Sequence, residues 1–228
     1  MQRAALGVTV RNVSPNDAAY VGLPDIRGVV VEDFGSDNSP AQKAGLEPGD
    51  IIVSVDGKPV EYVGQLQQEI AFRQPGDVVK VEVARKGGIH KTLDVRLQEL
   101  PAPRSVASNG DDSTSGNANA GDSASSIGKL GITVAPIDND DVQQLQLKPD
   151  QRGALVTDVR AGGPSYGELV DPDNGGPDII LGIEDTQVRS PADLKKALTG
   201  QKAGTIVSLR VYHARAQTRR VERIKLGE

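Results

Sequence analysis

Few side chains in this sequence could do covalent chemistry, and their spacing excludes most of it. Cysteine is absent, which removes disulfides, thiolate nucleophiles and zinc–sulfur sites together. The only histidines are His90 and His213, too few for a His-rich metal site and wrongly spaced for the HExxH zinc helix. No metal or cofactor is expected. Ser-His-Asp catalysis needs an activated hydroxyl beside a base and an oxyanion hole, and neither histidine neighbours a suitable Ser and Asp in the fold expected below. A Ser-Lys dyad fits the composition, but the chain has no spare domain to hold one. Asp50 and Asp178 occupy matched places after Pro-Gly and Gly-Pro dipeptides, and read as carboxylates that accept backbone N–H groups and fix a turn. No catalytic residue is assigned, and the chain reads as catalytically inert on its own.

The remaining residues build short strands and turns. Hydrophobic residues make up 37% of 228 and aromatics 3%, with 26 glycines and 14 prolines. The core therefore comes from Val, Ile, Leu and Ala, interrupted by many turns. A net charge of −5 argues against a nucleic-acid or anionic-membrane surface, so no nucleic-acid partner is expected. No run approaches the roughly 18 apolar residues of a membrane span. The opening Met1-Gln2-Arg3-Ala4-Ala5-Leu6 lacks the charged-then-apolar layout of a secretion signal. A cysteine-free chain survives in oxidising and reducing surroundings alike, so compartment is not readable from composition.

Residues 101–128 are dominated by Ser, Gly, Asn, Asp and Ala without apolar periodicity, and read as a flexible linker that cannot offset its own ordering entropy. A coil of that length spans on the order of 30 Å, enough for its flanks to move independently. The flanks, residues 1–100 and 129–228, repeat each other. Leu6-Gly7-Val8-Thr9-Val10 matches Leu130-Gly131-Ile132-Thr133-Val134, and Arg27-Gly28-Val29-Val30-Val31 matches Arg152-Gly153-Ala154-Leu155-Val156. Asp50-Ile51-Ile52 pairs with Asp178-Ile179-Ile180, and Gly76-Asp77-Val78-Val79 with Gly204-Thr205-Ile206-Val207. Four blocks in one order indicate a duplicated domain, each copy long enough to bury its own core.

Each copy reads as mostly β with two short helices. Strands are expected over residues 8–13, 28–33 and 51–55, the last ending at the turn dipeptide Asp56-Gly57. Residues 78–84 and 92–97 alternate apolar and polar around Lys86-Gly87-Gly88 and form a hairpin. Ser39 caps a short helix with Pro40 at its first position and Gly45 past its end. A second helix covers residues 62–72, with Leu66 and Ile70 on one face; its counterpart starts at Ser190-Pro191 and carries Leu194 and Leu198. The copies differ between Val159 and Ile179, where residues 160–177 hold two glycine pairs and three prolines. An irregular loop with at most one helical turn is expected there.

This layout includes the string Ser39-Pro40-Ala41-Gln42-Lys43-Ala44-Gly45-Leu46-Glu47-Pro48-Gly49-Asp50-Ile51-Ile52, followed by Val55-Asp56-Gly57-Lys58-Pro59-Val60. It resembles the PDZ fold in its bacterial arrangement, and more closely the PDZ domains of the HtrA (Do/Deg) serine endopeptidases. The resemblance covers both flanks. It implies two PDZ-like domains, each a five- to six-stranded partly open barrel capped by two short helices, joined by the linker. It also implies a place after a protease domain, in a bacterial periplasm or cell envelope. Proteases of that family carry their nucleophile in a Gly-Asn-Ser-Gly-Gly setting. No such string occurs here; the nearest, Ala107-Ser108-Asn109-Gly110-Asp111, lies in the linker.

The resemblance also places a peptide site. A loop running straight into a strand can aim successive backbone N–H groups into one concavity and so hold an anion without a charged side chain. Leu6, Gly7 and Val8 are the expected donors, with Leu130, Gly131 and Ile132 their counterparts, and Gly supplies the backbone freedom and close approach such a loop needs. The anion is the free carboxylate of a peptide added as a strand along residues 8–13. Its last side chain would enter an apolar pocket formed with Leu6, Val8, Val10, Leu66 and Ile70, or with Leu194 and Leu198 in the second copy. Arg3 and Lys129 stand beside the two loops. Expected partners are C-terminal or unfolded peptides of substrate proteins and the upstream protease domain, through which homo-oligomers would assemble. Alternatives are a free-standing two-domain adaptor and a second copy that serves oligomer assembly. The basic residues Arg210, Arg215, Arg219, Arg220, Arg223 and Lys225 are read as edge-strand charges that deter sheet association, and both histidines as exposed.

Overall fold

The structure, a computed structural model, describes residues 4–36, 38–99 and 124–227. Arg3 and residues 101–123 of the expected linker lie outside the described residues. The first unit runs β1 (Ala4–Ala5), β2 (Val8–Asn12), α1 (Pro15–Val21), β3 (Val29–Phe34), α2 (Pro40–Lys43), β4 (Ile51–Val55), β5 (Lys58–Pro59), α3 (Val63–Ala71), β6 (Val78–Arg85), β7 (Ile89–Arg96) and β8 (Gln98–Glu99). Its main sheet has the order β2-β3-β4-β6-β7, with β5 folded back on β4 and a separate β1-β8 ladder. The second unit runs β9 (Ser125–Ile127), β10 (Ile132–Pro136), α4 (Asn139–Gln144), β11 (Ala154–Val159), β12 (Asp178–Ile183), β13 (Thr186–Gln187), α5 (Pro191–Thr199), β14 (Ile206–His213) and β15 (Thr218–Lys225). Its sheet has the order β15-β14-β12-β11-β10-β9. Both units are mostly β, as expected. The sheets stay open and do not close into barrels, so each keeps two edges.

Strand alternation builds the core. Val79, Val81 and Val83 of β6 are buried while Val78 and Lys80 face out, the period of two that a one-sided strand requires. The central strands are apolar on both faces because each face meets a different layer. Val29, Val31 and Ile52 join the large cluster with Leu66 and Ile70, whereas Val30 and Ile51 meet Ala18 and Val21 of α1 on the opposite side.

Helix α1 and its counterpart α4 were not among the expected helices; with α1 the first unit has three, while the second has α4 and α5. Ser14 accepts from the Asp17 amide while the Asp17 carboxylate accepts from the Ser14 amide, with Pro15 leading; Asp138 and Asp141 repeat this reciprocal cap in α4. That signature was present in the sequence as Ser-x-x-Asp and Asp-x-x-Asp. The expected loop over residues 160–177 holds only the 3₁₀ turn Pro172–Asn174. The second unit begins four residues inside the stretch read as linker, because Ser125–Ile127 pairs with β10.

The two units are docked, where the sequence suggested independent motion. Strand β15 of the second unit lies across α1 and β3 of the first. Arg11 donates to Val221 O at 2.9 Å, and Asn16 donates through Nδ2 to Arg223 O at 3.0 Å. Tyr20 donates to Glu184 Oε2, which also receives Lys86 Nζ at 2.7 Å.

Candidate peptide-binding site

Each loop is held from behind. Leu6 O accepts from the Ala41 amide at 3.1 Å, and Gly7 O accepts from the Gly35 amide at 3.0 Å. A trans peptide plane sets the next N–H opposite to each carbonyl, so the amides of Gly7 and Val8 are turned to the other side of the loop. Gly7 has φ +71°, and a Cβ there would stand 2.9 Å from Pro40 Cδ and 3.0 Å from Ser39 Cβ. The loop thus needs glycine for conformation and for clearance. Among the described residues, the amides of Leu6 and Gly7 donate to no internal acceptor.

Beside the loop, β2 pairs with β3; among the described residues no strand pairs with its other side, which lies next to α3. Asn12 Oδ1 accepts from the Val63 amide at 2.9 Å, tying the start of α3 to the end of β2 and setting the width between them. Asn12 is a positioning residue that sequence reasoning missed, since nothing in the chain pairs positions 12 and 63 before folding. Val8 and Val10 are half-exposed in this groove. Leu6, Leu66 and Ile70 are 4%, 3% and 6% exposed and form its floor while belonging to the core.

The second loop has the same scaffold by other means. Leu130 O accepts from the Ser165 amide at 3.2 Å and Gly131 O from the Arg160 amide at 2.9 Å. Gly131 has φ +66°, with Pro164 Cδ 2.9 Å from where its Cβ would be. The irregular stretch 160–177 therefore does the work of α2.

Its amides are not available, and this corrects the expectation of a second open carboxylate loop. Leu130 N and Gly131 N both donate to Ile127 O, at 3.1 and 2.9 Å, and Ile132 pairs with Ile127 in the β9-β10 ladder. Leu194 and Leu198 lie opposite, but both are buried in the domain core. Lys129 does not face the loop; its Nζ donates to Leu198 O and Gln201 O at 3.0 and 2.6 Å, where a cation complements the C-terminal end of α5.

The recurring aspartates hold turns, with arginine partners that the sequence did not indicate. Asp50 accepts from the Glu47 amide and, bidentate, from Arg85. Asp178 accepts from the Val170 amide and, bidentate, from Arg220. The reading of the C-terminal arginines as edge charges is corrected for Arg223, which is buried; Arg220 is half-buried and pairs with Asp178. His90 is exposed, whereas His213 is half-buried, because its strand β14 lies inside the sheet.

The sequence profile of the PDZ domain matches residues 4–97 and 128–222. This chain belongs to the PDZ domain family. Both PDZ domains lie within the similarity to curated HtrA-family proteins. The chain is 29% identical over 205 residues to a DegP-like periplasmic serine endoprotease of Chlamydia trachomatis, covering 90% of this chain and 36% of that protein. It is 31% identical over 162 residues to a DegP-like protein of Pseudomonas fulva, covering 71% and 31%. Among solved structures it is similar to the HtrA-type protease AlgW with a decapeptide: 29% identity, 45% of this chain, 31% of that chain and a TM-score of 0.40. The chain spans about a third of the length of these curated relatives.

Proposed function

We propose that this chain is the peptide-recognition and regulatory region of an HtrA/Do-type serine endopeptidase, acting beside a protease domain in the bacterial periplasm. In this reading the first PDZ domain takes the free C-terminus of a substrate polypeptide. The peptide adds antiparallel to β2, its carboxylate held by the amides of Leu6, Gly7 and Val8, and its last side chain enters the space bounded by Val8, Val10, Leu66 and Ile70. The observation that carries this is the loop at Gly7: the carbonyls of Leu6 and Gly7 are bonded from behind, while among the described residues the amides of Leu6 and Gly7 meet no internal partner. Converging amides beside an exposed strand edge are what β-strand addition uses. The pocket's lining calls for an aliphatic final residue. The periplasmic assignment and the protease partner draw on the names of the relatives.

The test is titration of the chain with a peptide ending in Val, as free acid and as amide. Micromolar binding of the acid is expected, with at least a tenfold loss on amidation, about 1.4 kcal/mol. Equal binding of the two forms would remove the carboxylate from the account.

A further inference from the structure

The two PDZ domains share a loop, a strand edge and a facing helix, yet differ in what covers them. In the first, Val8 and Val10 are half-exposed. Their counterparts Ile132 and Val134 are 2% and 0% exposed. The cover is β9. It runs antiparallel along β10, with Ile127 opposite Ile132, Ser126 opposite Thr133 and Ser125 opposite Val134. This is the edge and the direction that an added peptide would take in the first domain, approaching the loop with its C-terminal end.

The details follow a bound peptide closely. Ile127 O receives the amides of Leu130 and Gly131, the donors that correspond to Leu6 and Gly7. The Ile127 side chain is 5% exposed and joins the apolar cluster of Leu130, Ile132, Leu194 and Leu198. The match to the PDZ profile begins at residue 128, so β9 lies just in front of the stretch that the profile covers. In the sequence, the position in register with Ile127 is Arg3, so the first repeat has no apolar residue there.

We propose that the second PDZ domain is self-liganded: Ser125–Ile127 sits in its peptide groove as an intramolecular ligand, with the Ile127 carbonyl in place of a terminal carboxylate and the Ile127 side chain in place of the last residue. The groove is a peptide site for aliphatic-ended chains that its own tether keeps filled. An outside peptide competes with a segment tethered four residues away, whose effective concentration is in the millimolar range or above. The tandem consequently receives one external peptide per chain, at the first domain. This last count rests on the function proposed above; the filling of the second groove does not.

The experiment uses the full chain and a peptide ending in Val with a free carboxylate. Calorimetric stoichiometry and amide chemical shifts are read in the wild type and in Ile127→Ser, with a thermal scan confirming that the variant is folded. The wild type is expected to bind one peptide, with shifts at residues 6–10 and none at 130–134. The variant is expected to gain a site at 130–134, at least tenfold tighter than any wild-type binding there. Two sites in the wild type, or a folded variant with no new site, would overturn the proposal. A wild type that binds nothing while the variant gains one site would sink the function proposed for the first domain and leave self-liganding supported. Should the variant unfold, hydrogen exchange in the wild type decides: slow exchange at Leu130 and Gly131 supports the tether, and exchange there as fast as at Gly7 rejects it.

Discussion

The guanidinium of Arg223, on the last strand of the second domain, pairs with the carboxylate of Asp17 in α1 of the first, and both side chains are buried. The same carboxylate takes Arg11 from its own domain. Arg223 also donates to Gly49 O and lies over the Tyr20 ring at 4.7 Å from its centroid. This buried pair, with the Lys86–Glu184 pair at the surface, connects two domains whose covalent link is more than two dozen residues long.

Removing one partner of a buried pair leaves the other desolvated and unmatched. Arg223→Ala should lower stability by about 3 kcal/mol, the low end of the range for breaking such a pair, because Arg11 still faces Asp17. Denaturant unfolding measures the loss, and small-angle scattering should report a larger radius of gyration as the domains part. Unchanged stability and dimensions would mean the pair does not hold them together.

Two carboxylates at this junction titrate in opposite senses. Burial alone would raise Asp17, but the Arg11 hydrogen bonds and the charges of Arg11 and Arg223 outweigh it and hold the group at about 2 against the usual 3.8. Its folded value is the lower one, so its stabilisation is present above about pH 4 and is lost as pH falls toward 2. Burial raises Glu222 to about 7 from 4.5, against the lowering effect of Arg11 and Arg220. That folded value is the higher one, so stability from Glu222 is complete below about pH 4.5 and declines as pH rises through 7. The melting temperature of wild type should accordingly fall between pH 4.5 and 7.5 more steeply than that of Glu222→Gln. Parallel profiles would contradict the raised value.

Gly7 and Gly131 share a positive φ and a proline 2.9 Å from the missing Cβ. Alanine at either position should cost about 1–3 kcal/mol in backbone strain. The two substitutions differ in consequence: Gly7→Ala should weaken peptide binding at least tenfold, whereas Gly131→Ala should destabilise its domain and leave peptide affinity within twofold. Thermal scans with peptide titration separate these outcomes, and equal effects on binding would place the working groove elsewhere.

Asp178 is fully buried and Arg220 half-buried, while Asp50 and Arg85 are each slightly more exposed than their counterparts. Replacing Asp178 by Ala should cost about 3–5 kcal/mol, and Asp50→Ala visibly less, since water can solvate Arg85. Urea midpoints rank the two. Because Asp50 fixes a turn away from the groove, its loss should leave the affinity of the folded chain for peptide unchanged; a large drop would give Asp50 a role in binding.

Much of each domain was legible because its signals are local. The span Ile51–Val55 ends at Asp56-Gly57, where the turn chemistry requires it, and Ser39 and Ser190 cap helices with proline next in line. Helix α1 was equally local, yet its Ser14–Asp17 cap went unread. The face through which the domains dock went unread with it.

Repetition, strand alternation and capping settled the duplicated architecture and the place of the two glycine loops, since each depends on residues a few positions apart. Folding decided which loop is free. Ser125-Ser126-Ile127 is too short and polar to declare itself a strand at the end of a Ser/Gly-rich stretch, and becomes one only where β10 offers an unpaired edge and α5 an apolar wall. The docking of the domains was likewise decided in three dimensions, because Asp17 and Arg223 are 206 residues apart and no short-range pattern couples charges over that separation.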